Sequence, residues 1–99
     1  MLVVLATVTG KPERQADIVA ALGKAAKASR GDAGCRSYAF YVDVEDDNRF
    51  TSVETWDDQA ALDAHFGQPH TVELLQAAGE LVAAPPVITV HEVAETRTM

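Results

Sequence analysis

The order of its strand-like and helix-like segments constrains this chain more than any other feature of the sequence. Four segments rich in β-branched and aromatic residues are predicted strands, at residues 2–9, 35–42, 49–56 and 87–93. A predicted helix begins at Pro12 and ends near Gly31, and a second helical stretch is broken between Gly67 and Pro69. The order β-α-β-β-α-β predicts an α+β fold of the ferredoxin-like, split βαβ type with a broken second helix.

The predicted strands are apolar on both faces. Val3 and Leu5 lie between the apolar residues Leu2, Val4, Ala6 and Val8, and the last strand shows a similar pattern. A strand with one face in water should alternate apolar with polar residues. Because a ferredoxin-like sheet carries helices on one face only, the pattern predicts a homodimer in which a second copy covers the other face.

Length and charge narrow the classes of partner. The 99 residues predict a single domain, 1–99, with 93–99 as a C-terminal arm or tail. The net charge of −7 argues against binding to nucleic acid or to an anionic membrane surface.

Cys35 is the only cysteine, so no disulfide forms within the chain. The apolar N-terminus lacks a basic n-region, and no apolar run approaches ~20 residues, which leads us to expect a cytoplasmic protein.

Residues 54–70 carry the most specific pattern. It reads E-x-W, then acidic residues, then A-x-L-x-x-H, then x-x-x-P-H, formed by Glu54, Trp56, Asp57, Asp58, Ala60, Leu62, His65, Pro69 and His70. This pattern resembles the antibiotic biosynthesis monooxygenase family, and Gly34, Cys35 and Tyr38 agree with it. The resemblance covers about residues 3–93. It implies a dimeric ferredoxin-like protein whose two sheets face each other in a barrel. Several members oxidise quinols or polyketide phenols with molecular oxygen and without metal, flavin or haem, while others act on different small molecules.

His65 and Glu54 are the candidate catalytic residues. His65 shares the apolar side of its helix with Ala61 and Leu62, so it should point inward, where a neutral imidazole can accept a phenolic proton. Glu54 shares a strand face with apolar residues and therefore needs a partner. That partner is either His65, whose ring it would orient, or an arginine such as Arg36 in a purely structural pair. A structural role in the core is the alternative for both candidates.

Three further residues are candidates for substrate binding. Trp56 and Tyr38 offer aromatic faces, and Tyr38 also offers a hydroxyl group. His70 lies in the first turn after the helix break, where the positive helix end disfavours its protonation. The alternatives are core packing for the two aromatic residues and a cap or surface position for His70.

A metal site is not expected. Glu54, His65 and His70 form a two-histidine, one-carboxylate set, but the histidines are five residues apart across the helix break. They lack the i, i+4 register that directs two imidazoles at one ion. The sequence also lacks motifs for flavin, nicotinamide or a phosphate-binding loop, so no cofactor is expected.

Haem-degrading enzymes of the same fold family are a rival class. They use an asparagine on the first strand, a tryptophan on the broken helix and a downstream histidine. Here Thr7 lies near the first position, His65 occupies the second, and residues 71–79 contain no histidine. These departures argue against haem.

The sequence therefore predicts a cofactor-independent monooxygenase for a quinol or hydroxylated aromatic, with His65 as the base and Glu54 as the residue that orients it. Trp56 and Tyr38 would form aromatic walls. Two alternatives stay open. One is a non-redox isomerase or lyase that uses the same acid–base group, and the other is a small-molecule-binding module without turnover.

Overall fold

The computed structural model describes all 99 residues. Its seven main elements are, in chain order, β1 (Leu2–Thr9), α1 (Gln15–Ser29), β2 (Cys35–Asp43), β3 (Asp46–Trp56), α2 (Gln59–Phe66), α3 (Pro69–Leu81) and β4 (Val87–Glu92). The strands form one antiparallel sheet in the order β2-β3-β1-β4. This topology confirms the predicted α+β, ferredoxin-like fold with a broken second helix.

The β2–β3 hairpin is tighter than the sequence predicts. The predicted strands 35–42 and 49–56 leave residues 43–48 between them, but Asp43 and Asp46 pair with each other and leave only Val44 and Glu45 in the turn. The Asp43 carboxylate accepts the Glu45 backbone N–H at 2.8 Å, and the Asp46 carboxylate accepts the Asn48 N–H at 3.0 Å. Aspartates that hydrogen-bond the amide two residues on stabilise turns, so they allow these strands to continue into a polar segment.

The start of α1 and the end of β4 differ slightly from the predicted boundaries. Pro12 begins a short 3₁₀ turn, Pro12–Arg14, and the regular helix begins only at Gln15. The last strand ends at Glu92, and the following residues have no regular structure. Val93 still donates its backbone N–H to the Met1 carbonyl at 3.0 Å, so the predicted tail leaves the sheet beside the N-terminus.

The core lies between the helices and one face of the sheet. Val4 pairs with Glu54, and Glu54 pairs with Tyr38, so these three side chains share the helix-facing side. One buried cluster at this end comprises Leu2, Val4, Ala26, Tyr38, Trp56 and Leu62. A second cluster, at the other end of α1, comprises Val8, Ile18, Leu22, Phe50 and Leu81.

The other face of the sheet carries no helix. Leu5 pairs with Val53 and with Thr89, and these three side chains lie on that face. Val53 is 38% exposed, and β4 at the sheet edge is exposed throughout. Threonines alternate with the apolar side chains, so this face is less apolar than β1 alone suggests. None of the helices has both the length and the apolar content required to cross a bilayer.

Candidate active site

An apolar cavity lies between the helix-facing side of the sheet and the helices α1, α2 and α3. Its cavity volume is about 70 Å³, and fifteen of its nineteen lining residues are hydrophobic. The polar or titratable side chains in its wall are those of Tyr38, Glu54, His65 and Thr71. No lysine or arginine lines the cavity. It is therefore suited to an uncharged, largely apolar small molecule.

His65 lies in the last turn of α2 and is 4% exposed, pointing inward as predicted. Its ring packs on Trp56 with the centroids 4.7 Å apart. Its Nδ1 lies 2.7 Å from Asp32 Oδ2 and 3.3 Å from Thr71 Oγ1. An ionised carboxylate can only accept, so Nδ1 carries the proton and Nε2 keeps its lone pair. Nε2 makes no hydrogen bond within the chain and is not sealed from solvent, and His65 is one of the residues that line the cavity.

Asp32 is the residue of this site that sequence reasoning missed. It lies in the loop between α1 and β2, and its side chain is 8% exposed. Its Oδ2 is 2.7 Å from His65 Nδ1 and 3.0 Å from His70 Nε2, and no lysine or arginine pairs with it. The nearby Gly34–Cys35 pair was a possible signal, but nothing in the sequence shows that this loop packs against α2.

Gly34 explains how the loop reaches α2. Its φ is +80°, and a Cβ at this position would collide with the methyl group of Ala61. Glycine avoids both the strain of this left-handed conformation and the collision. The close packing of the loop on α2 brings Asp32 to His65.

Glu54 points inward as predicted, but its hydrogen-bond partners differ from both expectations. Its carboxylate accepts Ser52 Oγ–H at 2.7 Å and Trp56 Nε1–H at 3.1 Å. Those residues are two positions away on the same strand face, so period-two geometry places their donors beside the carboxylate. His65 is bonded to Asp32 instead, and Arg36 pairs with Asp57 at 2.6 Å. The prediction that Glu54 orients His65 is therefore wrong.

The three predicted binding residues occupy different environments. Tyr38 lines the cavity, and burial, followed by the nearby Glu54 charge, raises the pKa of its hydroxyl well above the ordinary value. It therefore remains a proton donor. Trp56 is fully buried and does not reach the cavity, but it supports the His65 ring and Glu54. His70 lies behind Asp32, in a groove between α1 and α3, and is also absent from the cavity wall.

The helix break places the two histidines beside one carboxylate. Donor atoms of Asp32, His65 and His70 all lie within 4.8 Å of one another, so these three residues can hold a metal ion. The two imidazoles need no i, i+4 register to meet, because the turn between α2 and α3 brings them together. The 2.7 and 3.0 Å separations are those of N–H···O hydrogen bonds, which satisfy the carboxylate without an ion.

The fold and the site together define a small ferredoxin-like domain with a histidine–aspartate pair at an apolar cavity. The chain belongs to the antibiotic biosynthesis monooxygenase family, whose profile matches residues 1–77. The match includes β1 through most of α3, and so contains Asp32, His65 and His70.

Similar proteins come from several bacteria. An uncharacterised protein of Synechocystis sp. is 36% identical over 98 residues, which cover 99% of this chain and 67% of that protein. The Mycobacterium tuberculosis protein named "Putative monooxygenase Rv0793" is 31% identical over 87 residues, covering 88% of this chain and 85% of that protein. Its solved structure superposes with a TM-score of 0.91 over 98% of both chains. A structure from Deinococcus radiodurans that carries the family's name gives a TM-score of 0.94 at 26% identity, covering 100% of this chain and 98% of that chain.

Proposed function

We propose that this protein is a cofactor-independent monooxygenase that oxidises a quinol or another hydroxylated aromatic with molecular oxygen. One observation supports this most strongly. His65 lines an apolar cavity, its Nε2 has no hydrogen-bond partner within the chain, and its Nδ1 is held by the buried Asp32 carboxylate. This arrangement provides a general base beside a largely hydrophobic cavity, the environment that the ring of a quinol prefers.

The chemistry requires little more from the protein than a base and a shielded pocket. Nε2 accepts the proton of a phenolic hydroxyl, and the resulting phenolate donates an electron to dioxygen, after which the two radicals combine. Over a full turnover of a quinol, dioxygen receives four electrons. Two accompany insertion of one oxygen atom into the ring, two come from oxidation of the quinol to the quinone, and the second oxygen atom leaves as water.

The charge of the cavity wall favours a neutral substrate. A phosphate or carboxylate group would meet no lysine or arginine in the wall, and it would lie near the buried carboxylate of Glu54. Burial of an unpaired anion is costly. The Tyr38 hydroxyl, kept protonated by its raised pKa, can instead donate to a phenolate or quinone oxygen.

Oxygen uptake tests the proposal directly. Chelator-treated protein is incubated with uncharged hydroquinones and naphthoquinols, and oxygen consumption is measured together with product mass. We expect protein-dependent uptake and a product with one more oxygen atom and two fewer hydrogen atoms than the quinol. Uptake that requires an added metal, or none with any substrate in the panel, would contradict it.

A non-redox acid–base enzyme is the second candidate, because a histidine held by a buried aspartate supports any proton transfer at a carbon acid. Incubation with an enolisable ketone in D₂O without oxygen distinguishes the two candidates. Deuterium incorporation with no oxygen uptake supports the isomerase or lyase. If neither reaction occurs and a ligand still binds in the cavity, a binding module without turnover is favoured.

A further inference from the structure

We infer that Asp32, held in place by His70, is the positioning residue that fixes the tautomer of the His65 base. This deepens the proposed function and rests on it, since it assigns to Asp32 the role that the sequence suggested for Glu54. The inference depends on three side chains from separate parts of the chain that meet at one carboxylate oxygen.

The shared oxygen restricts where the protons lie. Oδ2 of Asp32 is 2.7 Å from His65 Nδ1 and 3.0 Å from His70 Nε2. A carboxylate has lone pairs and no proton to donate, so each of these nitrogens must donate to it. For His65 this leaves the Nε2 lone pair as the only basic site of the ring, and we place that atom towards the cavity that His65 lines, since Nδ1 is turned to Asp32. The opposite tautomer would place an N–H on the cavity side and could not accept a proton.

The surroundings of Asp32 make this hydrogen bond strong. The carboxylate is nearly buried and has no lysine or arginine partner, so the two imidazole N–H groups are its only side-chain hydrogen-bond donors. When His65 accepts a substrate proton, its neutral imidazole becomes an imidazolium that forms an ion pair with the Asp32 carboxylate in a site of low polarity. Asp32 therefore holds the ring by a hydrogen bond both before and after the proton transfer.

His70 restrains the carboxylate from the other side. It follows Pro69 in the first turn of α3, is 21% exposed and lies outside the cavity. Its Nε2–H occupies a second lone pair of the same oxygen, which limits rotation of the carboxylate away from His65. His70 is thus predicted to act through Asp32, without contact with the substrate.

Nitrogen-15 NMR of the histidine rings tests the inference without any substrate. In the wild-type protein at neutral pH, His65 should show the Nδ1–H tautomer. In Asp32→Ala it should change to the Nε2–H tautomer that free histidine prefers, whereas in His70→Ala it should keep the Nδ1–H form. His91, which is exposed and bonded only to Thr89, is an internal control that should not change.

Steady-state kinetics with a hydroquinone that the enzyme turns over then distinguish a loss of His65 positioning from a loss of folding. Asp32→Ala should lower kcat by roughly 10²–10⁴-fold with a smaller change in KM, as expected when a base has the wrong tautomer. If Asp32→Ala does not fold, Asp32→Asn serves in its place, since it removes the charge and should move the Nδ1 proton of His65 upfield.

Two NMR results would overturn the inference: an Nε2–H tautomer of His65 in the wild type, or an unchanged His65 ring in the Asp32 variants. Because the tautomer is measured without turnover, these outcomes are distinct from a failure of the proposed oxidation. That failure would appear as absent oxygen uptake while the tautomer result holds.

Discussion

At the scale of single residues, one side chain of the site is the proposed base and two others hold it in place. His65 lines the cavity, Asp32 holds its Nδ1, and Trp56 packs against the ring. Glu54 is in the same cavity but is bonded to its own strand neighbours. The base and the buried glutamate are therefore expected to respond differently to substitution.

Replacement of His65 by alanine should lower turnover by ~10²–10⁴-fold, because the general base is lost. Glu54→Gln should cost less, because it removes a charge from the cavity but leaves the imidazole and Asp32 in place. Initial rates of oxygen uptake measure both effects, and His91→Ala, on the opposite face of the sheet, is the matched histidine control. An active His65→Ala with a lowered melting temperature would show that the histidine is only structural.

The raised pKa of Tyr38 predicts a dependence of stability on pH. Tyrosines of the unfolded chain ionise near pH 10, whereas buried Tyr38 stays protonated there, so the unfolded state loses its proton first. The free energy of unfolding should fall above about pH 10, by up to about 1.4 kcal/mol per pH unit from this group. Urea denaturation at pH 8 and pH 11 should show that Tyr38→Phe removes this part of the loss. Tyr41→Phe, at a side chain that is 60% exposed, should not.

At the scale of elements, the site depends on two connections between regular structures. The break between α2 and α3 places His65 and His70 with ring centroids 6.0 Å apart. The α1–β2 loop then packs on α2 through Gly34 and supplies Asp32. Changes in this loop should affect both stability and the site.

Gly34→Ala should destabilise the fold by about 2 kcal/mol or more, because alanine is strained at positive φ and its methyl group meets Ala61. Gly23→Ala is the matched control, since a Cβ at that helical position meets nothing within 4 Å. It should stabilise the protein by roughly 0.5–1 kcal/mol. Urea denaturation measures both, and equal effects of the two substitutions would contradict the role assigned to Gly34.

At the scale of the whole molecule, the main feature is the sheet face that no helix covers. It carries Leu5 and Val53 among threonines, and no helix of the same chain covers it. Burial of such a face against an identical face would remove apolar surface from water. A homodimer is therefore the expected assembly.

Analytical ultracentrifugation at micromolar concentration should give twice the mass of one chain. Val53→Lys should shift the equilibrium towards monomer, because it places a charge in the centre of the proposed interface. Val19→Lys, at an exposed position on α1 outside that face, should not. A folded wild-type monomer at this concentration would contradict the prediction.

Much of this architecture follows from local patterns in the sequence. Period-two alternation placed Glu54 on the buried face of β3, and helical spacing placed His65 on the buried face of α2. Both inferences depend only on the geometry of a single strand or helix, which the nearest neighbours in the chain determine.

The partners of these residues were decided by the tertiary structure. Asp32 is 33 residues from His65 and 38 residues from His70, and only the packing of the loop on α2 brings the three together. The same packing gave His65 a different carboxylate from the one expected, while Ser52 and Trp56 satisfied Glu54 locally. Periodicity determines the direction in which a side chain points. The group that it meets depends on how distant segments fill the same space, because many partners are compatible with one inward-facing position.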